Sequence, residues 1–74
     1  MSIIVEVRGD FIQLDQLLKT TGLCHSGGYA HAQIEAGMVL VDGLVESRKR
    51  AKLRPGQFVS YGGETVELVA GLVA

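Results

Sequence analysis

Met38-Val39-Leu40-Val41-Asp42-Gly43-Leu44-Val45 is the stretch at which the chain changes period. Just before it, apolar residues recur four apart. Here Val39 and Val41 alternate with Met38 and Leu40, the two-residue repeat of a strand. Asp42-Gly43 then falls between two apolar runs. That dipeptide is a strong hairpin signal, because both central residues of the favoured turn take positive φ. A helix running straight into a hairpin predicts an α+β domain.

Working back from the hairpin, Gly37 closes a short helix whose inward positions are Ala30 and Ile34, with Ser26 as its capping residue. Leu23-Cys24-His25 is a tight connection to an earlier helix, so the two helices turn sharply against each other. Phe11, Leu14, Leu17 and Leu18 form the apolar stripe of that first helix. Asp10 and Gln13 make an approximate capping box at its start, and Gly22 ends it. Ile3, Val5 and Val7 alternate with Ser2, Glu6 and Arg8, a strand with one buried face and Ile4 as the exception.

Working forward, Glu46-Ser47 leads into Arg48-Lys49-Arg50-Ala51-Lys52-Leu53-Arg54. Leu53 is the only large apolar residue there and is expected to anchor the segment to the core. Pro55-Gly56 marks a turn. Phe58 to Tyr61 alternates as a strand, Gly62-Gly63 turns the chain, and Val66, Leu68 and Ala70 mark a last strand. The tail Gly71-Leu72-Val73-Ala74 extends this strand or frays. The expected order is β-α-α-β-β-β-β, two short helices packed against a small mixed, mostly antiparallel sheet.

Seventy-four residues with 47% apolar side chains make one small domain, residues 1–74, with a modest core. No run of eighteen apolar residues is available to span a membrane. The N-terminus lacks a basic leader and does not read as a signal peptide. Cys24 is the only cysteine, so no internal disulfide forms and a reducing cytoplasm is the expected compartment.

The charge is unevenly placed. Five of the seven basic residues fall in 48–54, and the rest of the chain holds two basic side chains against eight acidic. A local positive field attracts an anionic partner, although a solvated basic loop has the same composition. A pI near 6.0 argues weakly against general nucleic-acid binding. Cys24, His25 and His31 supply too few convergent ligands for a metal, so none is expected. Neighbouring Cys24 and His25 point apart on a tight turn, which disfavours a nucleophile pair. The carboxylates are scattered, with Asp15 set to favour the positive end of the first helix or to bond a neighbouring turn. Ser26-Gly27-Gly28 leaves backbone N–H groups bare at a helix start, where anions bind, although a plain turn and cap reads the same way. Phe11 and Phe58 sit at core-like positions, so too few rings remain for a base-stacking sheet.

Gln13-Leu14-Asp15-Gln16-Leu17-Leu18, Ser26, Ala30, Ile34, Gly37, Val39, Val41, Asp42-Gly43 and Pro55-Gly56-Gln57 together resemble the S-four RNA-binding domain, the alpha-L motif. The match runs from about Gln13 to Tyr61, and the segment from Glu46 to Leu53 looks like that of the small stand-alone bacterial YbcJ-type members. The resemblance implies an L-shaped RNA-binding surface on which helix starts and basic segment face one RNA. Departures are present. The family's first Arg falls on Gln13, and its Arg after Ser falls on Gly27. Its hairpin Asn is Asp42, and its Asp after Gly56 is Gln57.

The expectation is a non-catalytic cytoplasmic protein, with no cofactor, that grips structured RNA through phosphates, ribosomal or transfer RNA being the classes the family suggests. Arg48, Lys49, Arg50 and Lys52 neutralise phosphates, with Arg54 assisting. Ser26, Gly27 and Gly28 offer backbone donors, and Gln13, His25 and Lys19 stand at the rim. The competing reading is a protein–protein adaptor that kept the fold and applies the basic segment to an acidic partner.

Overall fold

The computed structural model describes residues 2–71; residues 72–74 of the tail, expected to extend the last strand or fray, lie outside the described residues. The chain forms strands β1 (Ser2–Val7) and β2 (Ile12–Gln13), helices α1 (Leu14–Thr20) and α2 (Gly27–Glu35), then strands β3 (Leu40–Val41), β4 (Leu44–Val45), β5 (Lys52–Leu53), β6 (Phe58–Tyr61) and β7 (Glu64–Ala70). Five strands make one sheet in the order β1-β7-β6-β3-β4, and β2 pairs β5 in a separate two-stranded sheet. β1 runs parallel to β7; the other pairings are antiparallel. The α+β fold with a mixed, mostly antiparallel sheet is therefore as read from the sequence. The two-stranded sheet is additional.

One face of the large sheet carries the core. Val41, Val59 and Val66 stand opposite one another across β3, β6 and β7, and all three are buried. Leu14, Leu17 and Leu18 from α1, with Ala30 and Ile34 from α2, cover that face. Each large apolar side chain removed from water there contributes about 1.5–3 kcal/mol. The same two-residue repeat turns Phe58 the other way, in a row with Glu67 and Ile4. Phe58 is 39% exposed and Ile4 65%. Phe58 is thus not a core residue, because Val59 holds the inward position.

The first helix also begins later than its apolar stripe suggests. Residues before Leu14 are extended, and Gln13, the cap, has φ −75 and ψ 144 with no side-chain cap bond. No Asp10–Gln13 capping box forms. The reason lies far downstream in the chain, where Lys52–Leu53 claims Ile12–Gln13 as a strand partner. The Ala51 carbonyl accepts from Leu14 N–H at 2.9 Å and the Lys49 carbonyl from Asp15 N–H at 3.0 Å. Two of the four orphan donors of the helix start are thereby satisfied by distant backbone. Phe11, counted on the stripe, lies outside the helix and is 36% exposed.

The remaining caps follow the sequence. Ser26 Oγ accepts from Tyr29 N–H at 3.1 Å. At the end of α2, Gly37 has φ 78, its N–H reaches the Ile34 carbonyl, and Met38 N–H reaches the Gln33 carbonyl. This is the paired closure in which glycine supplies the left-handed residue. In the β3–β4 hairpin Asp42 and Gly43 have φ 50 and 84, as the turn requires. Asp15 joins the helices: its Oδ2 lies 2.8 Å from His31 Nε2, and its Oδ1 accepts from Gln16 N–H.

Candidate nucleic-acid interface

The basic segment is held by its backbone and by its small and apolar side chains. Ala51 and Leu53 are buried at 5% and 2% exposure. Ala51 N–H donates to the Arg48 carbonyl at 3.1 Å, which tightens 48–51 into a turn. The Lys49 and Ala51 carbonyls are fastened to the start of α1 as described. With the main chain fixed on that side, the side chains of Arg48, Lys49, Arg50 and Lys52 are left in solvent. Together with Ser47, Ala51 and Glu35 they line an open groove of about 560 Å³.

Each cation is placed differently. Arg48 donates through Nε to Glu46 Oε1 and through Nη2 to Glu46 Oε2, both at 3.0 Å, and its backbone N–H also reaches Oε1. The hydrogen bonds from Arg48 hold the Glu46 carboxyl below the usual range, and Glu46 in turn raises Arg48. This bidentate contact uses Nε and Nη2 and leaves Nη1 without a partner among the described residues. Lys52 Nζ lies 4.9 Å from the centre of the Phe11 ring, a cation–π contact that restrains a flexible chain. Lys52 also stands opposite Gln13 in the β2–β5 pair. A cation thus sits across from the position where the family pattern has Arg.

Other expected site residues lie elsewhere. Arg54 is not part of the groove lining; its Nη1 reaches the Asp10 carbonyl at 3.4 Å and its N–H donates to Gln57 Oε1 at 2.8 Å. Lys19 is exposed in the last turn of α1, where a positive charge suits the carbonyl end of a helix. Ser26 Oγ serves as a cap, whereas the N–H groups of Gly27 and Gly28 make no hydrogen bond among the described residues. At about 1.5 Å of rise per residue, Gly27 is about 12 Å along α2 from Glu35 at the groove. The His25 ring packs on Tyr29 with centroids 4.7 Å apart. The expectation that both helix starts are open to a phosphate is corrected for α1, because the basic segment's own carbonyls occupy it.

Sequence reasoning missed Glu35, Glu46 and Phe11 at this surface. Glu46, two residues before Arg48, was open to such a reading. Glu35 and Phe11 reach the groove or its cations only through the fold.

Away from the groove, burial pushes the Cys24 thiol up. Tyr61 donates to Gln33 Oε1 at 3.1 Å, and hydrogen bonding with Tyr29, followed by desolvation, pushes its phenol up to about 12. Among the described residues no three His, Cys, Asp or Glu side chains converge as metal ligands. No helix among them is long and apolar enough to cross a membrane.

Comparison with known proteins agrees with this fold. A model of the S4 domain matches residues 5–69, a wider span than the 13–61 of the sequence motif. YbcJ of Escherichia coli (strain K12) is 48% identical over 59 residues, 80% of this chain and 84% of YbcJ. The solution structure of that YbcJ, described as revealing an alpha-L motif involved in RNA binding, matches with a TM-score of 0.68 at 40% identity. The match covers 93% of this chain and 86% of that one. A tyrosine–tRNA ligase of Ralstonia nicotianae is 43% identical over 60 residues, 81% of this chain but 15% of the ligase. In that enzyme the likeness is confined to a small part of the protein. The chain belongs to the S4 family of RNA-binding domains, a non-catalytic module of the alpha-L type.

Proposed function

We propose that this protein is a single RNA-binding domain that grips structured RNA through its phosphates, with Arg48, Lys49, Arg50 and Lys52 as the principal contacts. The observation that carries the reading is the division of labour in the basic segment. Its carbonyls, Ala51 and Leu53 are tied into the fold, while four of its five cations share one groove. Backbone fixation limits the entropy lost when the cations order around a phosphate. Lys52, opposite Gln13, supplies the charge that a helix-borne arginine supplies in the family pattern. Gly27 and Gly28 form a separate, weaker donor site, with His25 and Lys19 peripheral and Arg54 outside the groove.

No aromatic ring lines the groove, so it offers charge and shape rather than base stacking. That favours a folded RNA over an extended single strand, and ribosomal or transfer RNA are the classes to test first. One buried, unpaired cysteine suits a reducing cytoplasm.

The test is a filter or fluorescence titration of a structured RNA against salt. With four phosphate contacts, log affinity should fall against log salt with a slope between about −3 and −4. Changing Arg48, Lys49 and Arg50 together to Glu should abolish binding. These side chains are exposed, so the variant should keep its fold, with a urea midpoint lowered only by loss of the Arg48–Glu46 contact. A folded triple variant that binds RNA as tightly as the parent would overturn the assignment.

A further inference from the structure

Two carboxylates accompany the basic segment, and they are placed differently. Glu46 is half-buried and bound by three donors of Arg48. Glu35 is exposed and lines the groove with Arg48, Lys49, Arg50 and Lys52, yet it forms no ion pair among the described residues. It is the last residue of α2, whose final turn contains no basic side chain. A carboxylate at the carbonyl end of a helix is electrostatically disfavoured. A groove built for phosphate alone would also be weakened by an unpaired negative charge on its wall. Both costs fall on one residue, and neither contributes to folding.

The chemistry of the wall resolves this. Arginine and lysine only donate hydrogen bonds, and an ionised carboxylate only accepts them. The charged side chains of the groove therefore present four donors and one acceptor, beside the Ser47 hydroxyl, which can do either. A phosphodiester satisfies the donors and has nothing to give the acceptor. In RNA the ribose 2′-hydroxyl adjoins each 3′-phosphate, and it is a donor displayed across the wide, shallow minor groove of an A-form helix. We propose that Glu35 accepts a hydrogen bond from a ribose 2′-hydroxyl while the neighbouring phosphate sits on the basic segment, so that Glu35 makes the groove selective for ribose. This inference rests on the reading of the groove as an RNA site.

The experiment compares one hairpin RNA with the same hairpin carrying 2′-fluoro groups, which keep the A-form ribose pucker and remove the donor. Both are titrated against the parent protein, Glu35→Ala and Glu35→Gln. The parent should bind the hydroxyl form about tenfold more tightly, the factor expected of a hydrogen bond to a charged acceptor. Glu35→Ala should bring that ratio close to one, with Glu35→Gln between, since its carbonyl still accepts. If Glu35→Ala strengthens both ligands by the same factor, Glu35 is only a repulsive charge and the inference is wrong. If it weakens both equally, the carboxylate reads a base amino group and the ribose assignment is wrong. A parent protein that binds the two forms equally also overturns it. A parent that binds neither overturns the RNA reading of the groove itself. Glu35 is exposed, so circular dichroism should show all three proteins folded.

Discussion

Asp42 and Gln57 offer the sharpest test of how this chain departs from its family. The family pattern has Asn in place of Asp42 and Asp in place of Gln57. In the structure the two side chains meet: Gln57 Nε2 donates to Asp42 Oδ2 at 3.2 Å, while Asp42 Oδ1 accepts from Phe58 N–H at 3.0 Å. Gln57 Oε1 in turn accepts from Arg54 N–H at 2.8 Å. The two departures thus exchange donor for acceptor across one contact. Asp42→Asn keeps a residue that tolerates the positive φ and keeps the bond to Phe58. It also sets an amide N–H₂ against the Gln57 N–H₂, and Gln57 cannot turn over without releasing Arg54. One exposed hydrogen bond is lost, at about 1 kcal/mol. Gln57→Glu alone sets two carboxylates face to face, a further cost of about 1 kcal/mol or more across solvent-exposed distances near 4 Å. In the double variant the introduced amide donates to the introduced carboxylate, and that carboxylate still accepts from Arg54 N–H. Urea unfolding of the four proteins should give a coupling energy of about 2–3 kcal/mol in favour of the double variant, since each single change loses the hydrogen bond and Gln57→Glu adds the repulsion. Single effects that add within about 0.5 kcal/mol would show that the two side chains do not interact and would refute the compensation.

The Glu46–Arg48 pair predicts a pH effect. The depressed carboxyl of folded Glu46 means that its contribution is present above the ordinary glutamate range and is lost as pH falls through the folded value. Arg48→Ala should move the Glu46 carboxyl titration, followed by NMR, up toward the ordinary range; an unmoved titration would show that the bidentate contact is absent in solution. Leu53→Ala, at a position 2% exposed, should cost about 2–5 kcal/mol in urea unfolding. That is a large share of the roughly 5–15 kcal/mol typical of a domain, so RNA binding should be lost at a lower urea concentration or temperature than in the parent. A cost under about 1 kcal/mol, below the range for a buried leucine, would mean that the segment is not anchored through Leu53.

Local signals made much of the fold legible. The Asp42-Gly43 hairpin, the Ser26 cap and the Gly37 closure each depend on a few adjacent residues, and each forms as read. The start of α1 escapes such a reading because its determinant is not local. Phe11 and Leu14 have helical spacing, but Ile12–Gln13 is drawn into a strand by Lys52–Leu53. Phe58 escapes it for a related reason. Alternation shows that Phe58 and Val59 face opposite ways, but only the Val41–Val59–Val66 row decides which face is covered. At the site, clustering of cations in sequence made Arg48 to Lys52 visible. Glu35 was invisible because its nearness to them exists only once α2 and the segment after β4 are packed.

The basic segment is therefore more than a charged loop hung on a scaffold. Without it α1 would lack the carbonyls that satisfy Leu14 and Asp15 N–H, β2 would lack its partner, and the core would lack Ala51 and Leu53. Its main chain completes the fold and its long side chains face outward, so the two tasks fall on different atoms of the same residues. The arrangement also explains why the positive charge is concentrated here while the rest of the chain is acidic. A surface whose backbone is already fixed can hold four cations close together and leaves only their side-chain freedom to be lost on binding. The repulsion among them is eased by Glu46 on Arg48 and by the Phe11 ring on Lys52. On the proposed reading, Lys49 and Arg50, which have no such partner among the described residues, would be the positions where an incoming phosphate relieves the most repulsion.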